Sequence, residues 1–378
     1  MAERIVFANQ LRGVAAVAVA TSHLLGVYWL IRGAVTWATL TPPLEGPNSP
    51  WVGLIQHPWF NLGPFGVGLF FLISGLVIPI SLEQFGPGRF LVARVLRIYP
   101  VYVVALLIEL LVLRGNAALW HRAFPFGGWT IASNLLLIQD LVHQPSLDLV
   151  NWTLAIELRF YVVMALVAGA VRRGSVVVLF AIAGAALLMN VAVARGVFGA
   201  AGPDTLGYAV SMEPLFIVFM LMGVLFNYHL RGRLGSAGLV VALAAMGVIF
   251  ALCWRISAIV GQWPGVTMNY GCALLLFGGL YAVRRHVPNN RLLDAMAAIS
   301  FPFYCVHSLV GYSVLKLLML RFGWGYPAAL PMAVLVVVAL AVGLHASVEV
   351  WGVRRGRALR RRGERGQPTA PHATVNAS

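Results

Sequence analysis

Charge is what this sequence has least of. Of its 378 residues only 10% are charged and 60% are apolar, whereas an ordinary soluble domain carries about 25% charged residues. A single soluble core does not usually grow past ~300 residues, and so few polar groups could not cover the surface of one this size. That excludes a soluble globular protein and leaves a chain covered by lipid. Cysteine is also scarce. Cys253, Cys272 and Cys305 all sit inside apolar runs with no metal-ligand spacing, so they read as packing residues and no metal site is expected. Neither a Gly-x-Ser-x-Gly elbow nor a His-Glu-x-x-His pair occurs, so neither a serine hydrolase nor a zinc protease is indicated. No internal repeat and no second domain are visible.

What is present is a series of apolar runs. Runs of the ~20 residues needed to cross a bilayer begin near Gly13, Phe60, Tyr99, Thr153, Val176, Tyr208, Gly238, Gly265, Ala297 and Pro327. Only helices satisfy every backbone group within one such segment. The first run lacks a small-residue cleavage site and similar runs follow it, so it is not a removable leader. The expected fold is therefore all-α, a polytopic transmembrane bundle of about ten spans. One transmembrane domain would cover residues 1–351, and a basic, disordered tail residues 352–378.

The formal net charge of +15 is no sign of a nucleic-acid partner. The excess is arginine placed at alternate helix ends. With the N-terminus inside, the inner segments hold Arg4, Arg12, Arg89, Arg94, Arg97, Arg172, Arg173, Arg231, Arg233, Arg284, Arg285, Arg291 and the cluster from Arg354 to Arg365. The outer segments hold only Arg32, Arg114, Arg122, Arg195, Arg255 and Arg321. This is the positive-inside pattern, and it puts both termini in the cytoplasm. The expected location is the cell (inner) membrane, with the tail arginines against anionic lipid head groups. Residues 32–58 are rich in Pro and Gly and should lie outside. Residues 129–139 are amphipathic but too short to span, which suggests an interfacial or re-entrant helix.

Ionisable groups at membrane depth are costly and mark functional candidates. They are His23, Glu109, Glu157, Arg159, Glu213, His307, Lys316 and His345. Some have plainer readings. Lys316 can snorkel to the outer interface, Glu109 and His345 can make inter-helix hydrogen bonds, and Glu213, one turn into its span before Pro214, can face a watery vestibule. His23 follows Arg12 by a rise of roughly 16 Å, which sets it near mid-membrane. His307 should lie at similar depth, with Ser300 and Tyr304 on the same helix face. That stripe reads equally well as a site or as a structural hydrogen-bond cluster. A neutral histidine is suited to act as a general base toward a hydroxyl. Arg94 and Arg97, three apart before Tyr99 and a Pro100 that suits a helix's first turn, can form a fork for phosphate oxygens. On its own such a pair is weak evidence, since most arginines here are topology signals.

Taken together, these residues resemble the acyltransferase-3 family of membrane O-acyltransferases. The resemblance rests on Arg12 and His23 in LRGVAAVAVATSH, and on the glycine-rich GPFGVGLFFLISGLVI with Ser74. It also rests on Arg94-x-x-Arg97 before Tyr99-Pro100, on Trp152, Glu157 and Tyr161 in WTLAIELRFY, and on Ser300, Tyr304 and His307 in SFPFYCVH. No attached soluble SGNH-type domain is seen, so the stand-alone form is expected.

The resemblance implies a ten-helix bundle with no bound cofactor. It takes an acyl group, usually acetyl, from cytoplasmic acyl-coenzyme A to a hydroxyl of a carbohydrate, a glycolipid or a glycosylated small molecule. The family's essential histidine maps on His23 and its arginines on Arg12, Arg94 and Arg97. In that scheme His23 deprotonates the acceptor, the arginines hold the coenzyme A phosphates, and Glu157 orients His23 or stabilises its charged form. Ser74, Trp152, Tyr161, Ser300, Tyr304 and His307 are further site candidates. An acyl-His23 intermediate is the second mechanism. A transporter using intramembrane His and Glu as a proton relay is the competing function, and the lack of an inverted repeat counts against it. The topology has a direct test. Reporters fused after Arg173, Arg233, Arg285 and Arg357 should read cytoplasmic, and those within residues 46–53 external. An external signal at Arg233 would overturn the ten-span arrangement.

Overall fold

The computed structural model describes residues 5–57, 59–199 and 205–365. Arg4, Pro58, Pro368, Pro371 and the tail from residue 366 lie outside them. The described chain is a helical bundle. Its only strands, β1 (Gln56–His57) and β2 (Phe60–Asn61), form a minimal antiparallel ribbon in the connection between the first two spans. Among the described residues, eight helices are long and apolar enough to cross a membrane. They are α1 (Val6–Leu30), α3 (Leu62–Gln84), α4 (Pro87–Leu119), α8 (Val176–Ala194), α9 (Leu206–Leu230), α10 (Ser236–Ile256), α11 (Trp263–Ala282) and α14 (Tyr326–Leu344). A ninth span is broken in two: α12 (Arg291–Val306) and α13 (Leu309–Lys316) meet at a bend of 68°.

The expected span from Thr153 is a short helix, α6 (Asn151–Leu166), followed after Val167 by α7 (Ala168–Arg172). Residues 151–172 together rise roughly 30 Å, so the pair fills the fourth place of the ten. Further short helices are α2 (Arg32–Thr39), a single turn at Val52–Ile55, α5 (Gly128–Leu135) and a 3-10 turn at Val260–Gln262. α5 falls in the stretch read as interfacial or re-entrant. It ends at Leu135, four residues before Gln139.

Packing sorts the helices into centre and rim. The spanning window of α9 is 78% buried, while those of α8, α10, α11 and α14 are 28% buried. The outward faces of the rim helices carry leucine and valine, such as Val177, Leu188, Val241 and Leu275, each more than two-thirds exposed. In water that would be a liability. In lipid it is the expected surface, because lipid tails are as apolar as leucine and association then depends on close packing. α3 and α9 approach most closely where glycine meets glycine. A Cβ on Gly75 would strike the Met220 carbonyl and lie 2.8 Å from the Gly223 Cα.

Three local expectations are corrected. Pro100 does not open a helix. α4 begins at Pro87 and runs through it. A proline inside a helix frees the carbonyl four residues back, here Leu96, and the backbone at Gly352 packs directly on that carbonyl. The chain after Gly352 is not disordered at its start: α15 (Val350–Arg365) continues as helix. Arginine, alanine and leucine are good helix formers, and Gly352 and Gly356 let the helix lie flat on α4 against Leu96 and Ala93. Lys316 does not snorkel to the interface. It is 1% exposed, and its ammonium donates to the Pro42 carbonyl at 2.9 Å, because the loop after α2 folds over it and supplies the oxygen that lipid could not.

The glycine contact is testable. Gly75→Ala should destabilise the bundle by about 2 kcal/mol through overpacking, read as a lower melting temperature in detergent. Gly247→Ala, in α10 with open space at its Cβ, should be neutral or stabilising. Equal melting temperatures for the two variants would show that the α3–α9 contact is not tight.

Candidate functional site

Two partly open cavities lie along the bundle. The first, about 890 Å³, is lined by Arg12 of α1, Ser74 of α3, Arg94 and Arg97 of α4, Glu157 and Tyr161 of α6, Ser300 and Tyr304 of α12, and Glu349. Sequence alone paired Arg94 with Arg97 by helical spacing. The fold adds Arg12 from a different helix to the same wall. Arg94 is buried, donates to the Ser81 hydroxyl, and lies 5.4 Å and 5.6 Å from the rings of Phe90 and Tyr161. Aromatic faces attract guanidinium groups, so this arginine is held without a carboxylate directly on it, and its Nε has no protein partner.

Glu157 belongs to this cavity and not to His23. Its Oε1 accepts hydrogen bonds from the hydroxyls of Ser74 at 2.7 Å and Tyr161 at 2.5 Å. The role expected for it as the group that orients His23 is therefore not supported by its position. Helix register explains the difference. Tyr161 is four residues on, one turn along the same face of α6, and that face looks toward α3 and α4.

The second cavity, about 660 Å³, is lined by His23 and Ser22 of α1, Asn61 and Gly63 at the start of α3, Trp152 of α6, Phe216 of α9, Trp254 of α10, Gln262, Tyr270 of α11, and Tyr304. His23 is the one carrier of a nitrogen base in this lining. It sits in a turn of π-helix, Ser22–Val27, a local widening that frequently coincides with functional sites. Its Nδ1 is 2.9 Å from the Tyr312 hydroxyl. Trp152 stands beside Phe216 with ring centroids 5.1 Å apart, so the cavity has aromatic walls and amide ends. Val67 and Tyr304 line both cavities and form the partition between them. The Tyr304 hydroxyl is tied to Thr153 at 2.7 Å.

The expected stripe on α12 is divided. Ser300 and Tyr304 reach the cavities, although the Ser300 hydroxyl donates back to the Ala297 carbonyl at 2.8 Å. His307 reaches neither. It lies at the bend between α12 and α13, 1% exposed, with Nδ1 2.8 Å from the Tyr304 carbonyl and its ring centroid 5.0 Å from that of His23. The other intramembrane groups have structural partners. Arg159 bridges Asp140 at 2.7 Å and Glu213, so Glu213 is paired rather than facing open water. His345 bonds Glu349 at 2.7 Å within one helical turn, not across helices. Glu109 has as its neighbour the carboxyl of Asp148, from the loop before α6, rather than another helix. Among the described residues no cluster of His, Cys, Asp or Glu is arranged to hold a metal ion.

Sequence reasoning passed over Glu349, Asp148, Tyr312, Phe216, Trp254 and Tyr270. Glu349 and Asp148 carried a signal, being two of few acidic residues near apolar runs. The aromatics carried none, because a buried ring beside a cavity and a buried ring in a core have the same sequence context.

An all-α membrane bundle with a charged, partly open cavity among its helices defines an integral membrane protein with a polar site. Comparison with known families identifies the chemistry. A family model described as an acyltransferase domain matches residues 5–346, and the chain belongs to this acyltransferase-3 family. No curated protein and no solved structure matches the chain. The protein is a multi-pass membrane acyltransferase, as the motifs in the sequence implied.

Proposed function

We propose that the protein moves an acyl group, most naturally acetyl, from acyl-coenzyme A in the arginine-lined cavity to a hydroxyl of a carbohydrate or glycosylated acceptor in the aromatic cavity, with His23 as general base. The observation that carries this reading is the pairing of the cavities: one holds the cations, the other the base, and they share the Val67–Tyr304 partition. The first cavity sets Arg12, Arg94 and Arg97 against Glu157 and Glu349, so an anion completes its charge. Guanidinium forks suit phosphate oxygens, and coenzyme A supplies those at one end and a thioester at the other. The second cavity offers ring faces from Trp152, Phe216, Trp254 and Tyr270 and polar contacts from Asn61 and Gln262, a lining suited to a sugar with one apolar face.

The proposed reaction is a direct transfer. The free nitrogen of His23 takes the proton from the acceptor hydroxyl, the oxygen attacks the thioester carbonyl, and coenzyme A leaves as its thiolate, which then takes up a proton. Glu157, Ser74 and Tyr161 belong to the donor cavity in this scheme, where the carboxylate offsets part of the arginine charge. The arginine-rich end would face the cytoplasm, where acyl-coenzyme A is made, with both termini on that side of the cell membrane.

Purified protein supplied with acetyl-coenzyme A should release free coenzyme A when a suitable glycan acceptor is added. Arg94→Ala and Arg97→Ala should each raise the KM for the donor by roughly tenfold or more, since hydrogen bonds between charged groups contribute ~1.5–3 kcal/mol each. Unchanged donor binding in both variants would leave these arginines as topology signals. His23→Ala should lower kcat by at least about 100-fold while still binding donor. His307→Ala should be milder, because His307 lines neither cavity. If His307→Ala abolishes turnover while His23→Gln retains it, the base has been assigned to the wrong helix.

A further inference from the structure

A histidine acts as a base only through the ring nitrogen that lacks a proton, and which nitrogen that is depends on the hydrogen bond made by the other. In many active sites a carboxylate holds the second nitrogen. Among the described residues no carboxylate contacts His23, and Glu157 bonds elsewhere. The group on His23 Nδ1 is the Tyr312 hydroxyl at 2.9 Å, and the two rings are nearly parallel, 5° apart in plane. Tyr312 is fully buried and belongs to neither cavity lining, so it approaches His23 from behind. The other ring nitrogen, Nε2, has no protein partner among the described residues, and His23 lines the aromatic cavity.

The geometry points to Tyr312 as the positioning residue for His23: its hydroxyl oxygen accepts from Nδ1–H and so leaves the Nε2 lone pair free for the acceptor hydroxyl. This rests on the reading of His23 as the base. The direction of the hydrogen bond follows from that reading: a base nitrogen at Nε2, which faces the aromatic cavity, leaves the ring proton on Nδ1, so the phenol oxygen 2.9 Å away accepts it. When Nε2 takes the substrate proton, the imidazolium keeps its Nδ1–H on Tyr312 and the phenol does not change protonation.

The break in the helix makes this possible. Tyr312 lies five residues beyond His307, on α13. A straight helix would carry it past His23, whereas the 68° bend turns α13 so that Tyr312 stacks on His23 while His307 meets the same ring edge-on at 5.0 Å.

The test is a double-mutant cycle on kcat. Tyr312→Phe keeps the ring and removes the hydroxyl. It should lower kcat about tenfold, the scale of one lost hydrogen bond, with donor KM unchanged. In a His23→Ala background it should have no further effect, because the group it positions is gone. A wild-type kcat for Tyr312→Phe, or the same loss in both backgrounds, would overturn the assignment and leave Tyr312 a packing residue. A wild-type kcat for His23→Ala alone would instead sink the reading of His23 as base. If Tyr312→Phe fails to insert, 3,5-difluorotyrosine at position 312 keeps the shape and weakens the hydroxyl as an acceptor. A lowered kcat at constant donor KM then supports the positioning role, and an unchanged kcat refutes it.

Discussion

The cost of holding charge where water is excluded governs this structure. Each ionised side chain at membrane depth has to be matched by a partner or given access to a cavity. The helices are arranged so that nearly every such group is matched. Arg159 bridges Asp140 and Glu213, Lys316 has the Pro42 carbonyl, and His345 has Glu349. The arginines of the first cavity are the exception. Arg12, Arg94 and Arg97 crowd one wall, with Glu157 and Glu349 as the acids in the lining among the described residues. An unbalanced cationic wall of that kind fits a protein whose substrate brings the missing negative charge.

Departures from regular helix occur beside the base, as they do at Leu317–Arg321 and His345–Glu349. α1 widens into a π turn at Ser22–Val27, which includes His23, and the helix carrying His307 breaks immediately after it. A regular α-helix repeats its side-chain directions every turn and cannot aim neighbouring polar groups at one point. The widened turn and the bend bring His23, His307 and Tyr312 from three segments into ring contact. The close α3–α9 crossing at Gly75 and Gly223 is regular and tightly packed, so it supplies a rigid frame for these irregular turns.

Much of this was legible in the chain itself. Apolar runs, arginine placement and helical spacing gave the all-α bundle, the pairing of Arg94 with Arg97, and the depth of His23, because each depends only on neighbours within a turn or a span. Local signals misled where a distant segment intervened. Pro100 looked like a helix start because proline has no N–H to donate. It lies inside α4, where α15 packs on the carbonyl it frees. Lys316 looked like an interfacial lysine because its own helix offers no partner. The loop after α2 supplies one.

The amino-acid sequence by itself determined that the chain lives in lipid, the number and order of its helices to within one short span, and its membership in an acyltransferase family. Those features follow from composition, periodicity and residue order. Only the tertiary structure decided which polar groups share a cavity. Glu157 faces the arginines rather than His23, His307 stands behind the wall rather than in it, and Tyr312 rather than a carboxylate holds the His23 ring. Side-chain direction fixes a residue's face on its own helix, but the neighbour on that face is set by how separate helices rotate, bend and cross against one another. No short-range pattern records those rotations.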